Sequence, residues 1–368
     1  MAIPFNDLRR HYASMAGELD EATLRVLHSG WYILGPEVTA FEREWADFCG
    51  AAHCVSLATG TDALLISLRA LGVGPGDEVL TVANAGTYTT FAANAIGATP
   101  RYVDVDPRTA TMAAAQLSAA ITPRTRAIVP VHLYGRVADL SAILEVAAAH
   151  NLPVLEDCAQ AHGAHWQGRH VGNWGVAGCF SFYPTKNLGA LGDGGALITN
   201  DDALAARVLQ LRTYGWGQKY HATLAGGTNS RLDEVQAAIL RVKLRHLEAQ
   251  NSRRTAIAAR YASALAELPI TPFSAAPAGE HVHHLYVVLV AAEQRAAIQT
   301  ALRNAGIGSE VHYPMPDHRQ PAWAEHYAEL SLPVTEALAD SVLSLPCYPE
   351  LADSEVDEVI AALRSALA

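Results

Sequence analysis

The chain has 368 residues, half of them hydrophobic and 17% charged. That is the profile of a packed globular protein of roughly two domains at about 150 residues each, and it excludes disorder, collagen and low-complexity architectures. The net charge of −11 argues against a general nucleic-acid binder, and the longest apolar runs, such as 285–292, fall well short of the ~20 residues of a membrane span.

In chain order, the pattern predicts a helix over 61–71, closed by Gly72 and the turn Gly74-Pro75-Gly76-Asp77. A strand over 78–82, a helix over 91–96 and a strand over 101–105 follow, then a strand over 127–132, a helix over 140–150 and a strand over 153–156. Short β-rich runs separated by helices predict a mostly parallel sheet covered on both faces. Residues 231–268 contain neither Gly nor Pro. They carry apolar residues at near-helical spacing, which predicts one long helix linking two domains, with a break near Asn251-Ser252. The remainder reads as a smaller α+β domain: strand 284–290, helix 292–305, strand 310–313 and a final helix over 353–367. The expected division is 1–250 for the N-terminal arm and large domain and 251–368 for the small one. Residues 1–10 show no apolar leader, and the five cysteines lack CxxC spacing. Buried free thiols in a reducing cytoplasmic compartment are the expectation.

Three segments of the large domain place polar residues just past a strand, where doubly wound sheets bind ligands. The first, Ala58-Thr59-Gly60-Thr61-Asp62, opens a helix whose free N–H groups suit a phosphate, although Thr and Asp would also cap that helix without any ligand. The second, Leu155-Glu156-Asp157 followed by Cys158-Ala159-Gln160-Ala161-His162-Gly163, delivers an acid to the sheet edge. The third, Phe180-Ser181-Phe182-Tyr183-Pro184-Thr185-Lys186-Asn187-Leu188-Gly189, sets a lysine among aromatic and glycine residues. A desolvated lysine loses its proton more easily and becomes a nucleophile able to form a Schiff base. An imine-forming lysine, an acid for a ring nitrogen and a phosphate-binding helix start are the parts of a pyridoxal phosphate site.

These blocks, with Ser29-Gly30-Trp31-Tyr32-Ile33-Leu34-Gly35-Pro36 near one end and Leu343-Ser344-Leu345-Pro346 near the other, resemble the DegT/DnrJ family of pyridoxal-phosphate-dependent nucleotide-sugar aminotransferases. The resemblance implies the α/β architecture of fold-type-I aspartate aminotransferases. It implies Lys186 as the imine-forming and proton-shuttling residue, Asp157 on the pyridinium nitrogen and Gln160 near the phenolic oxygen. Gly60, Thr61 and Ser181 would bind the phosphate, joined by Asn229 from the partner subunit of a homodimer, and Tyr88 would stack on the ring. Tyr183, His312 and Tyr313 are substrate candidates. No metal, nucleic acid or membrane partner is implied.

The loop 186–195 resembles members that transfer an amino group from glutamate to carbon three of a dTDP-3-keto-6-deoxyhexose. Transfer to carbon four of a 4-keto nucleotide sugar, or a non-catalytic regulatory role, are the alternatives. The sugar dehydratases related to this family carry histidine in place of the lysine, and Lys186 argues against that chemistry. A nicotinamide site fails because Gly72-Val73-Gly74-Pro75-Gly76 lacks the G-x-G-x-x-G spacing and follows a helix.

Overall fold

The computed structural model describes residues 3–367, so residues 1, 2 and 368, at the ends of the two expected domains, lie outside it. Its centre is a seven-stranded sheet in the order Thr99–Tyr102, Glu78–Thr81, Thr125–Ile128, Leu155–Asp157, Ala177–Ser181, Gly195–Thr199, His53–Leu57, its two halves joined by the parallel bridges Ile128–Val154 and Val131–Asp157. Six strands run one way, and Gly195–Thr199 alone runs antiparallel to both neighbours. The mostly parallel prediction therefore holds. The reversal occurs where the chain loops from Ser181 back to Gly195, the loop that carries Lys186.

Alternating side chains fill both faces. Cys179 and Leu197 pack towards the helices Gly60–Ala70 and Asp202–Leu211, while Phe180, Ala196 and Ile198 pack towards Pro36–Cys49 and Glu234–Leu244. The helix Pro36–Cys49 buries Val38, Phe41, Trp45 and Cys49 at helical spacing, and its N-terminus has no cap of its own because Gly35 precedes Pro36. The buried carboxylate of Glu234 supplies the cap, accepting from the N–H groups of Gly35, Glu37 and Val38 at 2.8–2.9 Å.

The C-terminal part pairs Thr271–Pro272, Tyr286–Leu289 and Val342–Leu345 in an antiparallel sheet. The helices Leu247–Leu265, Arg295–Asn304 and Asp353–Leu367 pack on it, the last with the predicted limits. Two expectations are corrected. The long helix breaks at Arg245–His246 rather than at Asn251-Ser252: the N–H groups of Arg245 and His246 reach carbonyls three residues back. This tight turn lets Lys243 Nζ donate to the Gly189 carbonyl at 2.7 Å while Leu247 is buried in the core. Residues 310–313 make a single bridge, Glu310 to Ser344, rather than a strand, since Pro314 and Pro316 bring no N–H groups to extend a ladder. All five cysteines are buried and free. Among the described residues no helix is long and apolar enough to cross a membrane.

Candidate active site

A cavity of about 600 Å³ opens at the carboxyl ends of the parallel strands, and Gly60, Thr61, Tyr88, Asp157, Ser181 and Lys186 all line it. The lysine loop is fixed on either side of Lys186. Phe182 is fully buried edge-on against Phe41 and Trp45, and its N–H donates to the Gly194 carbonyl at 2.8 Å. The Lys186 N–H closes a turn onto the Tyr183 carbonyl at 2.8 Å. A Cβ on Gly189 would stand 2.4 Å from the Pro184 carbonyl oxygen, so only glycine lets the loop fold back so closely. On the far side the Asn187 amide donates to Asn251 Oδ1 at 2.8 Å and to the Val282 carbonyl at 3.1 Å. The half-buried lysine has no ion pair among the described residues. Burial pushes its ammonium down to about 8, against the pull of Asp157.

Asp157 sits at the end of its strand with Oδ1 accepting from the Ala159 N–H at 3.1 Å. Burial pushes its carboxyl up, and the Ala159 N–H and the Lys186 charge work against that push. His162, pushed down to about 3 by burial and by Lys186, is neutral and donates through Nε2 to the Ser181 carbonyl at 2.8 Å. It therefore stitches the acid's loop to the lysine's strand.

The helix Gly60–Ala70 points its N-terminus at the cavity, with Thr59 Oγ1 accepting from the Asp62 N–H at 2.9 Å. Thr59 is thus a true cap, and the helix start beside it is left to Gly60 and Thr61. A Cβ on Gly60 would fall 2.6 Å from the Ser181 Cβ, so the glycine brings the backbone N–H groups and the serine hydroxyl onto one spot. Ser230 Oγ ties this corner together, accepting from the Ala58 N–H at 3.0 Å and donating to Asp62 at 2.7 Å.

Tyr88 begins the helix Tyr88–Ala95 and is 47% exposed at the cavity mouth. It shares Gly86 with Tyr313: a Cβ there would meet the Tyr313 ring at 2.9 Å and the Tyr88 ring at 3.1 Å. Tyr183, His312 and Tyr313 also line the cavity. Gln160 does not. Its amide oxygen accepts from the Tyr134 N–H at 2.6 Å and its NH2 donates to Tyr313 Oη at 3.2 Å, so in this structure it holds the tyrosine rather than facing the opening. Asn229 is exposed on the surface and does not line its own chain's cavity. Sequence reasoning missed Phe5, Asn6, His284 and Glu310, which also line the cavity. They come from segments far apart in the chain, and none carries a motif. His284 Nδ1 meets Asn187 Oδ1 at 3.0 Å, which gives the residue after the lysine a third partner.

This donor set fits pyridoxal phosphate on its own chemistry. An amine depressed towards neutrality suits an aldehyde, a buried carboxylate suits a protonated ring nitrogen, and a helix N-terminus with a hydroxyl suits a phosphate ester.

Comparison with known proteins agrees. The chain is 47% identical over 365 residues to the dTDP-3-amino-3,4,6-trideoxy-alpha-D-glucose transaminase of Streptomyces venezuelae, covering 98% of this chain and 95% of that one. It superposes on the crystal structure of S. venezuelae DesV in complex with a ketimine intermediate with a TM-score of 0.95, at 46% identity and covering 99% and 98% of the two chains. It superposes on Bacillus subtilis NtdA with bound cofactor PMP with a TM-score of 0.94, at 33% identity and covering all of this chain and 85% of the other. Residues 14–364 match the profile of one family, and the chain belongs to it: the DegT/DnrJ/EryC1/StrS aminotransferase family.

Proposed function

We propose that this protein is a pyridoxal-phosphate-dependent transaminase that moves an amino group from glutamate to carbon three of a dTDP-3-keto-6-deoxyhexose, yielding a dTDP-3-amino-3,6-dideoxyhexose. The observation that carries the reading is a half-buried lysine amine lowered to about 8, facing a buried carboxylate in one cavity. The resemblance of the loop 186–195 and the S. venezuelae relative that aminates a dTDP sugar at carbon three support the position on the sugar.

When bound, the cofactor supplies an aldehyde carbon and an electron-withdrawing ring. Lys186 Nζ would hold that carbon and, once released, would move a proton between the substrate carbon and the cofactor as a general base and acid. Asp157 keeps the ring nitrogen protonated by pairing with it. The N–H groups of Gly60 and Thr61 and the Ser181 hydroxyl hold the phosphate, and Tyr88 covers the ring. Gln160, whose NH2 is engaged by Tyr313 Oη in this structure, would have to turn its amide to reach the phenolic oxygen, while Tyr183, His312 and Tyr313 orient the sugar. Asn229 from a second copy completes the phosphate site, so the working unit is a homodimer. The division at residues 1–250 and 251–368 sets the cavity at the seam of two domains, and the buried free thiols suit a cytoplasmic enzyme.

Borohydride treatment of the holoenzyme followed by tryptic mapping is expected to add the coenzyme's mass to the peptide containing Lys186, and to none in Lys186→Ala. Incubation with glutamate and dTDP-3-keto-6-deoxyglucose, or its galactose epimer, is expected to give an amino sugar by mass spectrometry. An unmodified Lys186 peptide would overturn the cofactor reading, and amination of a 4-keto sugar alone would overturn the position.

A further inference from the structure

The helix that carries Tyr88 cannot cap itself. Thr87 lies at φ 70° and offers no side-chain cap. The missing acceptor comes from a residue 230 positions away in the chain. Asp317 is buried, its Oδ1 accepts from the Thr87 N–H at 3.0 Å, and its Oδ2 accepts from the Thr90 hydroxyl at 2.5 Å. Thr90 Oγ1 also meets Tyr102 Oη at 3.0 Å, which fixes the threonine rotamer. The Asp317 backbone is itself held, its N–H donating to the Ala83 carbonyl at 2.8 Å. Four residues earlier the Tyr313 ring stands against Gly86, within reach of the same Cβ position as the Tyr88 ring. The segment 313–317 therefore grips the segment 83–90 at its beginning, middle and end.

We propose that Asp317 is a positioning residue for Tyr88: it caps the Tyr88–Ala95 helix from outside and so sets where the tyrosine ring stands over the cofactor site. This rests on the reading that Tyr88 covers the cofactor ring. A carboxylate at a helix N-terminus satisfies first-turn donors and the positive end of the helix dipole. Here it does so at a helix start whose first residue, Tyr88, lines the cavity along with Tyr313. Burial pushes the Asp317 carboxyl up to about 7, with Thr90 and Thr87 working against that. An amide of the same shape is therefore a close stand-in, because its oxygen still accepts from Thr87 and its NH2 can donate to the threonine hydroxyl. A leucine keeps the branched outline but replaces both acceptors with bulkier methyl groups.

The test uses the full-length protein with three readouts: apparent Kd for pyridoxal phosphate, the visible circular-dichroism band of the bound coenzyme, and hydrogen exchange of the apoprotein. Asp317→Leu is expected to raise the Kd about tenfold, the scale of a lost cap, to change the dichroism band, and to speed exchange in the peptide 84–95. Asp317→Asn is expected to restore most of the wild-type values. In a Tyr88→Ala background, Asp317→Leu is expected to add no further loss of affinity, since both changes act through one ring. If Asp317→Leu does not fold, Thr90→Val, which removes one of the two bonds, is expected to give the same pattern at smaller size. A full additional loss in the Tyr88→Ala background, or unchanged exchange over 84–95, would overturn the proposal. Should Tyr88→Ala itself leave affinity and dichroism untouched, the reading of Tyr88 falls and takes the proposal with it. If Tyr88→Ala is damaging and Asp317→Leu is silent, the positioning role alone falls.

Discussion

Glu156 and Asp157 are consecutive residues on one strand, and the regions they serve differ in kind. Inside the fold, the fully buried Glu156 accepts from His132 at 3.0 Å and from the N–H groups of Gly172, Trp174 and Gly175 at 2.7–2.8 Å. His132 is itself committed, its Nδ1 accepting from the Ala138 N–H at 3.1 Å, so its proton sits on Nε2 and points at the glutamate. At the cavity, Asp157 has one oxygen engaged by a backbone N–H and otherwise faces the space it shares with Lys186. Both carboxylates are buried, yet their proton affinities move in opposite directions. For Glu156 burial works to raise the value, but His132 and the Gly175 and Gly172 N–H groups outweigh it and leave the group low. For Asp157 burial wins and the group is raised. Depth alone does not mark a functional acid. What marks it is burial without a full set of partners, which leaves a ligand something to supply.

That contrast can be broken most sharply on the Glu156 side. Glu156→Ala strands three backbone donors and an imidazole N–H in the interior, and is expected to destabilise the apoprotein by about 3–5 kcal/mol in chemical denaturation. Coenzyme affinity of the remaining folded fraction should stay near wild type. Because the native carboxylate is held below its usual range, its stabilising contribution is present at neutral pH and fades as pH falls through the lowered value. Asp157→Asn is expected to do the reverse. Transamination should fall on the order of a hundredfold or more, since an amide cannot hold a positive charge on the ring nitrogen. The denaturation midpoint of the apoprotein should not drop. A raised native value means the folded state keeps the aspartate's proton longer than the unfolded chain does, so ionising it costs stability as pH rises. The uncharged amide escapes that cost. If Asp157→Asn unfolded the protein while leaving turnover intact, the contrast between the two acids would collapse.

Much of the site was legible in the chain because its parts are local. A strand that ends in Asp157, a strand that runs into Lys186 and a helix that starts at Gly60 each reveal themselves within a dozen residues, and sheet topology then brings their ends together. The helix 353–367 was legible for the same reason, with Val356, Val359, Ile360 and Leu363 on one buried stripe. What stayed hidden depends on partners distant in sequence. Asp317 reads as one acid among many until Thr87 and Thr90 are placed beside it. Gln160 was expected at the cavity but is held by Tyr134 and Tyr313, neither of which a local pattern could place there. The helix break at Arg245–His246 has no sequence mark either. It follows from where Lys243 and Leu247 must be buried, which only the packed core decides.

Lys186 carries the comparison to its smallest expected effect, a pH profile. Its ammonium is lowered to about 8 by burial, with Asp157 the one opposing charge, and only the neutral amine can attack an aldehyde. The rate at which apoprotein captures pyridoxal phosphate, followed by stopped-flow absorbance, should therefore rise about tenfold from pH 7 to pH 9 and level off above 8, as the neutral fraction grows from about a tenth towards unity. Stability should move with it. The folded state releases the lysine proton before the unfolded chain does, so the contribution of this group increases from about 8 up to the ordinary lysine value and is flat below. Asp157→Asn removes the charge that holds the ammonium on, so the inflection should shift to lower pH in that variant. An inflection that stayed in place would mean the two groups do not sense each other across the cavity, and the pairing of amine and acid on which the site is built would fail.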